Sequence, residues 1–246
     1  MEYWADITIA ETVLVAATAF VAGIMRGFSG FGSALVIVPV MAAVYGAQLA
    51  VPAVVVIHLL TTVQLLPGAL RDCEWGRVIP LSVAGSLAIP FGAWVLVTQD
   101  SDLLRKAISI LIILFAIMML RGWRYTGKIN AWIMAVVGVI GGVITGATTI
   151  GGPPVVTFLM AGPFSAAQNR AAIILYFTFV QLVAVVMYWL GELILWPIVG
   201  ICVTVMPTLM AGMWIGQNLF KHASEEGFRR IALLFLLLIG FATLIA

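Results

Sequence analysis

The succession of apolar stretches constrains this chain more than any other feature. They run over residues 7–25, 33–46, 49–70, 78–98, 103–120, 130–145, 153–162, 169–190, 194–219 and 228–245. Most are long enough, at about 1.5 Å per helical residue, to cross about 30 Å of hydrocarbon. Lipid offers the backbone no hydrogen-bond partner, so only helices and closed barrels span it. A barrel would show short segments of alternating polarity, and the sequence does not contain them. An all-α integral membrane protein with about 8–10 transmembrane segments is expected. Charged residues are 9% of the chain, against about 25% in a soluble domain, and they cluster between the stretches. Trp4, Trp75, Trp123, Trp132 and Trp196 fall near stretch ends, where interfacial aromatic side chains belong.

The first residues, MEYWADITIAE, are acidic. A secretory leader begins with positive charge, so the first apolar stretch is expected to be retained. Cys73 and Cys202 are too few and too scattered for a disulfide or metal framework. No nucleic-acid motif, long polar tail or low-complexity linker is present, and no cofactor or metal site is indicated. Residues 1–246 read as one transmembrane domain.

Two stretches are short, and each follows a glycine-rich break. The first break lies in GFSGFGSALVIVP (27–39), the second in GATTIGGPPVVTFLM (146–160). A shift of about 119 residues superposes them. Gly23, Gly27, Gly32, Val36, Met41 and Ala53 fall on Gly142, Gly146, Gly151, Val155, Met160 and Ala172, and Ser29 falls on Thr148. Further on, GAWV at Gly92 matches GMWI at Gly212. Order kept along both halves reads as an internal duplication, with repeats 1–125 and 126–246.

The cations give the halves an orientation. If each break region counts as one crossing, the loop Lys and Arg residues divide almost evenly between the two sides. If each goes in and returns, one side holds Arg71, Arg77, Arg121, Arg124, Lys128, Arg170, Lys221, Arg229 and Arg230, and the other only Arg105 and Lys106. Cytoplasmic loops carry the excess of cations, so the second arrangement is favoured. It puts both termini outside and inverts the halves relative to each other. Each half then has a broken or re-entrant region plus three spanning helices, a pattern of secondary transporters.

A helix break frees backbone N–H groups, which in lipid must face protein or a cavity. At the start of a half helix they favour anions. Gly30, Gly32, Gly151 and Gly152 allow close approach, Ser29, Ser33, Thr148 and Thr149 add hydroxyls, and Phe31 sits inside the first motif. Two such motifs meeting near mid-membrane make a small donor-rich cradle. The bland alternative is that the glycines only allow tight helix packing. No Asp or Glu lies deep in a span, whereas a cation or proton site normally needs an intramembrane acid. Arg26 beside the first motif either pairs with the anion or anchors at the cytoplasmic interface. His58, near the centre of its helix, is either an anion or proton contact or a packed histidine. Gln64 and Gln181 follow the two motifs as ligand contacts or interhelical hydrogen-bond partners.

These residues, GFGSALVIVP followed by GGPPVVTFLM and QNRAA, resemble the TauE/SafE sulfite-exporter family, also called toluene-sulfonate uptake permeases, over nearly the whole chain. The resemblance implies a multi-pass carrier in a bacterial or archaeal plasma membrane. Its cargo would be a small sulfur oxyanion such as sulfite, a sulfonate or sulfoacetate, and no enzymatic activity is implied. Competing classes are an anion channel or structural membrane subunit, and a membrane-embedded phosphatase-type enzyme. The last is poorly supplied with general acid–base groups.

Overall fold

The structure, a computed structural model, describes residues 8–122, 130–160 and 164–220, together with 237, 238, 240–242 and 244. The last apolar stretch, 228–245, therefore lies mostly outside the described residues, as do Arg124, Lys128, Lys221, Arg229 and Arg230. Every regular element described is an α-helix: α1 (Ile9–Ser29), α2 (Ser33–Tyr45), α3 (Ala47–Thr62), α4 (Leu66–Arg71), α5 (Trp75–Thr98), α6 (Ser101–Leu120), α7 (Ala131–Thr148), α8 (Gly152–Leu159), α9 (Ala166–Leu190) and α10 (Pro197–Phe220). Among the described residues, five stretches of helix are long and apolar enough to cross a membrane: Ile9–Phe28, Trp75–Thr98, Ala131–Thr148, Ala166–Leu190 and Trp196–Leu219. The expected all-α membrane architecture is the one observed.

The helix starts follow from local chemistry. Thr8 caps α1, its hydroxyl accepting from the Glu11 N–H while the Glu11 carboxylate accepts from the Thr8 N–H. Ser165 and Gln168 do the same for α9, so two donors left over at each helix start are satisfied reciprocally. The ends of α1 and α7 are different. α1 stops at Gly30 (φ +80°) and α2 starts after Gly32 (φ +92°). Two left-handed residues within three positions turn the chain sharply, and only glycine adopts them without strain.

α7 stops at Thr149, also left-handed (φ +63°). A β-branched residue there is held at a cost of about 1–2 kcal/mol. Replacing Thr149 by Gly should therefore raise stability by about 1 kcal/mol, seen as a higher midpoint of thermal unfolding in detergent. A lower midpoint would show that Thr149 carries no strain.

The long helices pack through glycine. α5 lies along α7 and α1 along α10, while α3 and α9 meet each other between these pairs. α9 also packs on α5, and α3 on α10. At the α5–α7 seam the Tyr188 and Tyr176 hydroxyls on α9 donate to the carbonyls of Gly146 (2.6 Å) and Gly138 (3.4 Å). Lipid gives no hydrophobic drive for helices to associate, so small residues that let backbones touch do that work. α3 and α9 each bury a large face in the core. Val51, Val54, Val55 and Ile57 on α3, and Ala172, Tyr176, Val180 and Ala184 on α9, are fully buried. The space between α3, α9 and the two breaks is thus bordered by well-buried helix surfaces.

Candidate anion site

That space is a cavity of about 310 Å³, its open mouth included. It stands at the small end for ligand pockets, which suits a small cargo. Of the residues singled out from sequence, Arg26, Phe31, Gly32, Ser33, His58, Thr149, Gly152 and Gln181 line it. Five parts of the fold bring them together: the end of α1, the start of α2, the C-terminal part of α3, the break between α7 and α8, and α9, which supplies Gln181. Residues as far apart in the chain as Arg26 and Gln181 thus meet at one place.

Polar contacts run through the first-half wall. Ser33, fully buried in the first turn of α2, lies 2.9 Å through its hydroxyl from His58 Nε2. Arg26, 5% exposed, donates from Nη2 to the His58 carbonyl (3.1 Å) and to Thr62 Oγ1 (2.5 Å). Thr62 in turn donates to the His58 carbonyl (2.7 Å). Arg26 Nε has no protein partner, and neither does Gln181 Oε1 in the opposite wall. Among the described residues, Arg26 and Arg77 are the buried charged side chains; no carboxylate is buried. The two ion pairs described, Arg71–Asp72 and Arg105–Asp102, each hold an acid that is well exposed. A buried cation without a counter-ion costs several kcal/mol, and an anion in the cavity would relieve that.

Arg77 is accounted for otherwise. Its Nη2 donates to the Leu159 carbonyl at the end of α8 and to Asn169 Oδ1, and its guanidinium stacks 3.5 Å from the centre of the Phe164 ring. It closes the C-terminus of a half helix, where a cation is favoured. Arg170 plays a similar part for α1, donating to the Gly27 carbonyl at 3.0 Å.

Some sequence expectations meet different surroundings. Thr148 Oγ1 donates to Ile144 O within α7 and accepts from the Ile150 N–H; its neighbour Thr149, turned by the left-handed backbone, is the one lining the cavity. Gly151 packs into α7, where a Cβ would lie 2.1 Å from the Gly141 carbonyl oxygen. Gly30 sits against the Arg170 side chain. Ser29 is the last residue of α1, and its side chain lies outside the described residues. Gln64 is exposed.

The cradle is also lopsided. α2 begins Ser33-Ala34-Leu35, of which the Leu35 N–H already donates to the Gly32 carbonyl (3.1 Å), whereas α8 begins Gly152-Pro153-Pro154, and proline has no N–H to give. Ile150, Pro153 and Phe177 add apolar surface to the facing wall, beside the polar side chains of Thr149 and Gln181.

Sequence reasoning missed Thr62, Ile150 and Phe177. The signal was present in the 119-residue shift, which carries Phe31 to Ile150, His58 to Phe177 and Thr62 to Gln181. Thr62 fixes the guanidinium of Arg26 without reaching the cavity itself. Thr62→Val is expected to weaken anion binding about 10-fold, the worth of one hydrogen bond to a charged group. The maximal turnover should stay unchanged, and Thr62→Ser should restore affinity. Unchanged affinity in Thr62→Val would remove it from the site.

The profile of the sulfite exporter TauE/SafE family matches residues 15–243, nearly the whole chain and every helix that builds the cavity. The chain belongs to this family. No curated protein and no solved structure shows a significant match. As a TauE/SafE member with five long apolar helices it is a multi-pass membrane protein of a transporter family. The family match extends over both breaks, Gly30–Gly32 and Thr149–Gly151.

Proposed function

We propose that this protein is a secondary carrier that moves a small sulfur oxyanion, such as sulfite, a sulfonate or sulfoacetate, across a bacterial or archaeal plasma membrane by alternating access. One observation carries the reading: Arg26 is buried at the wall of a small cavity, and no buried carboxylate among the described residues balances it. Ser33, the start of α2 and the Arg26 guanidinium offer donors to several anion oxygens at once, and a sulfur oxyanion has three or more acceptors to give. Family membership supports the sulfur chemistry. The two halves, residues 1–125 and 126–246, are inverted, with both termini outside. The reciprocal packing of α5 on α7 and α1 on α10 supports that duplication.

The transport reading is tested with purified protein in liposomes and radiolabelled sulfite. Saturable uptake, accelerated by sulfite on the far side, is expected. Uptake that never saturates and ignores far-side sulfite would make the protein a channel. Absence of flux for sulfite and sulfonates alike, with phosphate released from a lipid diphosphate, would make it an enzyme. Topology has its own check. Cysteines placed at Lys128 and Gly191 should be labelled from opposite faces, and labelling of both from outside would overturn the inversion.

A further inference from the structure

Arg26, from the end of α1, and His58, from α3, are the titratable residues among those described that line the cavity. The start of α2, the break between α7 and α8, and α9 contribute none. His58 meets a neutral partner, the Ser33 hydroxyl, 2.9 Å from its Nε2, and counts as uncharged. No carboxylate is buried among the described residues. The empty site thus carries one positive charge. The duplication shows why there is not a second. The 119-residue shift carries Arg26 to Thr145 and His58 to Phe177, so the counterpart of the cation is a hydroxyl and that of the imidazole a phenyl ring.

A net charge in a low-dielectric interior is costly whichever its sign. A singly charged anion brings the loaded site to zero. A dianion leaves one negative charge over, as large an imbalance as that of the empty site, and a carrier must hold it inside the membrane, where charge is expensive. The facing wall offers nothing to absorb it. Phe31, Ile150, Pro153 and Phe177 are apolar, and Thr149 and Gln181 are neutral. A Cβ on Gly152 would stand 3.4 Å from the Phe177 ring and 3.6 Å from that of Phe31, so aromatic surface closes in on that side. Gln181 is 2% exposed, and its Oε1 has no protein partner. That oxygen is an acceptor, which repels a further negative charge and suits an O–H.

We propose that the site selects sulfur oxyanions by charge and takes the singly charged ones. Hydrogensulfite and simple monosulfonates are accepted. Sulfate, fully ionised sulfite and sulfoacetate, with its added carboxylate, are refused. The selection rests on the carrier reading and narrows its cargo.

Isothermal titration calorimetry of the whole protein in lipid nanodiscs tests it with three probes. Methanesulfonate and sulfate share a tetrahedral frame and differ by one charge. Sulfite loses its last proton near neutral pH, so it changes charge without changing its heavy atoms. Methanesulfonate should bind equally at about pH 6 and about pH 8, and sulfate about 100-fold more weakly at both. Sulfite should bind about 10-fold more weakly at the higher pH, as its singly charged form declines. A preference for the methyl group alone does not reproduce that last change. Sulfate bound as tightly as methanesulfonate, or sulfite bound equally at both pH values, would overturn the selection and leave the oxyanion site standing. Sulfate binding that appears only at low pH and is lost in His58→Gln would overturn it too, because the histidine would then carry a proton to balance a dianion. Binding of none of the three would sink the oxyanion site itself, and the selection with it.

Discussion

Replacing Arg26 by Gln is expected to weaken sulfite binding about 100-fold and, in the same protein, to raise the stability of the ligand-free state. The two effects have one cause. Arg26 is the buried cation of the cavity, with Nη2 engaged by the His58 carbonyl and Thr62 and with Nε unpartnered. Two charge-assisted hydrogen bonds to an anion are worth about 3 kcal/mol together, or about two decades of affinity. Without the anion, the buried charge is a liability, and a shorter neutral side chain removes it. Thermal unfolding with and without sulfite reads both effects. The wild type should gain stability with sulfite by mass action, and Arg26→Gln should start higher and gain almost nothing. Arg26→Lys, which keeps the charge but loses the planar fork, should fall between them. If Arg26→Gln starts lower and still gains with sulfite, Arg26 is a structural residue and the anion sits elsewhere.

Gly142→Ala is expected to destabilise the protein by about 3 kcal/mol or more. The added methyl would lie 2.2 Å from the Gly85 carbonyl oxygen and 2.8 Å from Gly85 Cα. Backbone on both sides leaves nothing flexible to move away, so α5 and α7 must separate. Gly76→Ala, also on α5, is the control: a Cβ there meets no atom within 4 Å. It should leave stability unchanged or raise it, because alanine favours helix over glycine. Melting of the detergent-solubilised variants by intrinsic fluorescence separates the two. Indistinguishable midpoints for Gly142→Ala and wild type would mean that the α5–α7 seam is not closely packed.

Much of the candidate site is legible in the sequence. The breaks at Gly30–Gly32 and before Gly152, the buried His58, Gln181 and the lack of an interior acid could all be read from residue types and their order. What could not be read depended on rotation and contact. Thr148 and Thr149 are neighbours of the same type, and only the left-handed turn at Thr149 decides which faces the cavity. Thr62 is one hydroxyl in an apolar helix until α1 brings Arg26, 36 residues away, against it. The two prolines of α8 signal a helix start, but they also remove donors, so the two breaks are alike in sequence and unlike in chemistry. Glycines such as Gly23, Gly92 and Gly212 looked like repeat markers. Their work as contact points between halves appears only once the seams are seen.

The position of the bound anion is the most direct test of Arg26 and its cavity as the binding site. A structure determined with selenite, an oxyanion of sulfite geometry with a strong anomalous signal, measures that. The expected result is one selenium peak in the cavity, with its oxygens within hydrogen-bond distance of Arg26 and of Ser33 or His58. An empty cavity with selenium bound at another place, in protein shown to transport sulfite, would contradict it.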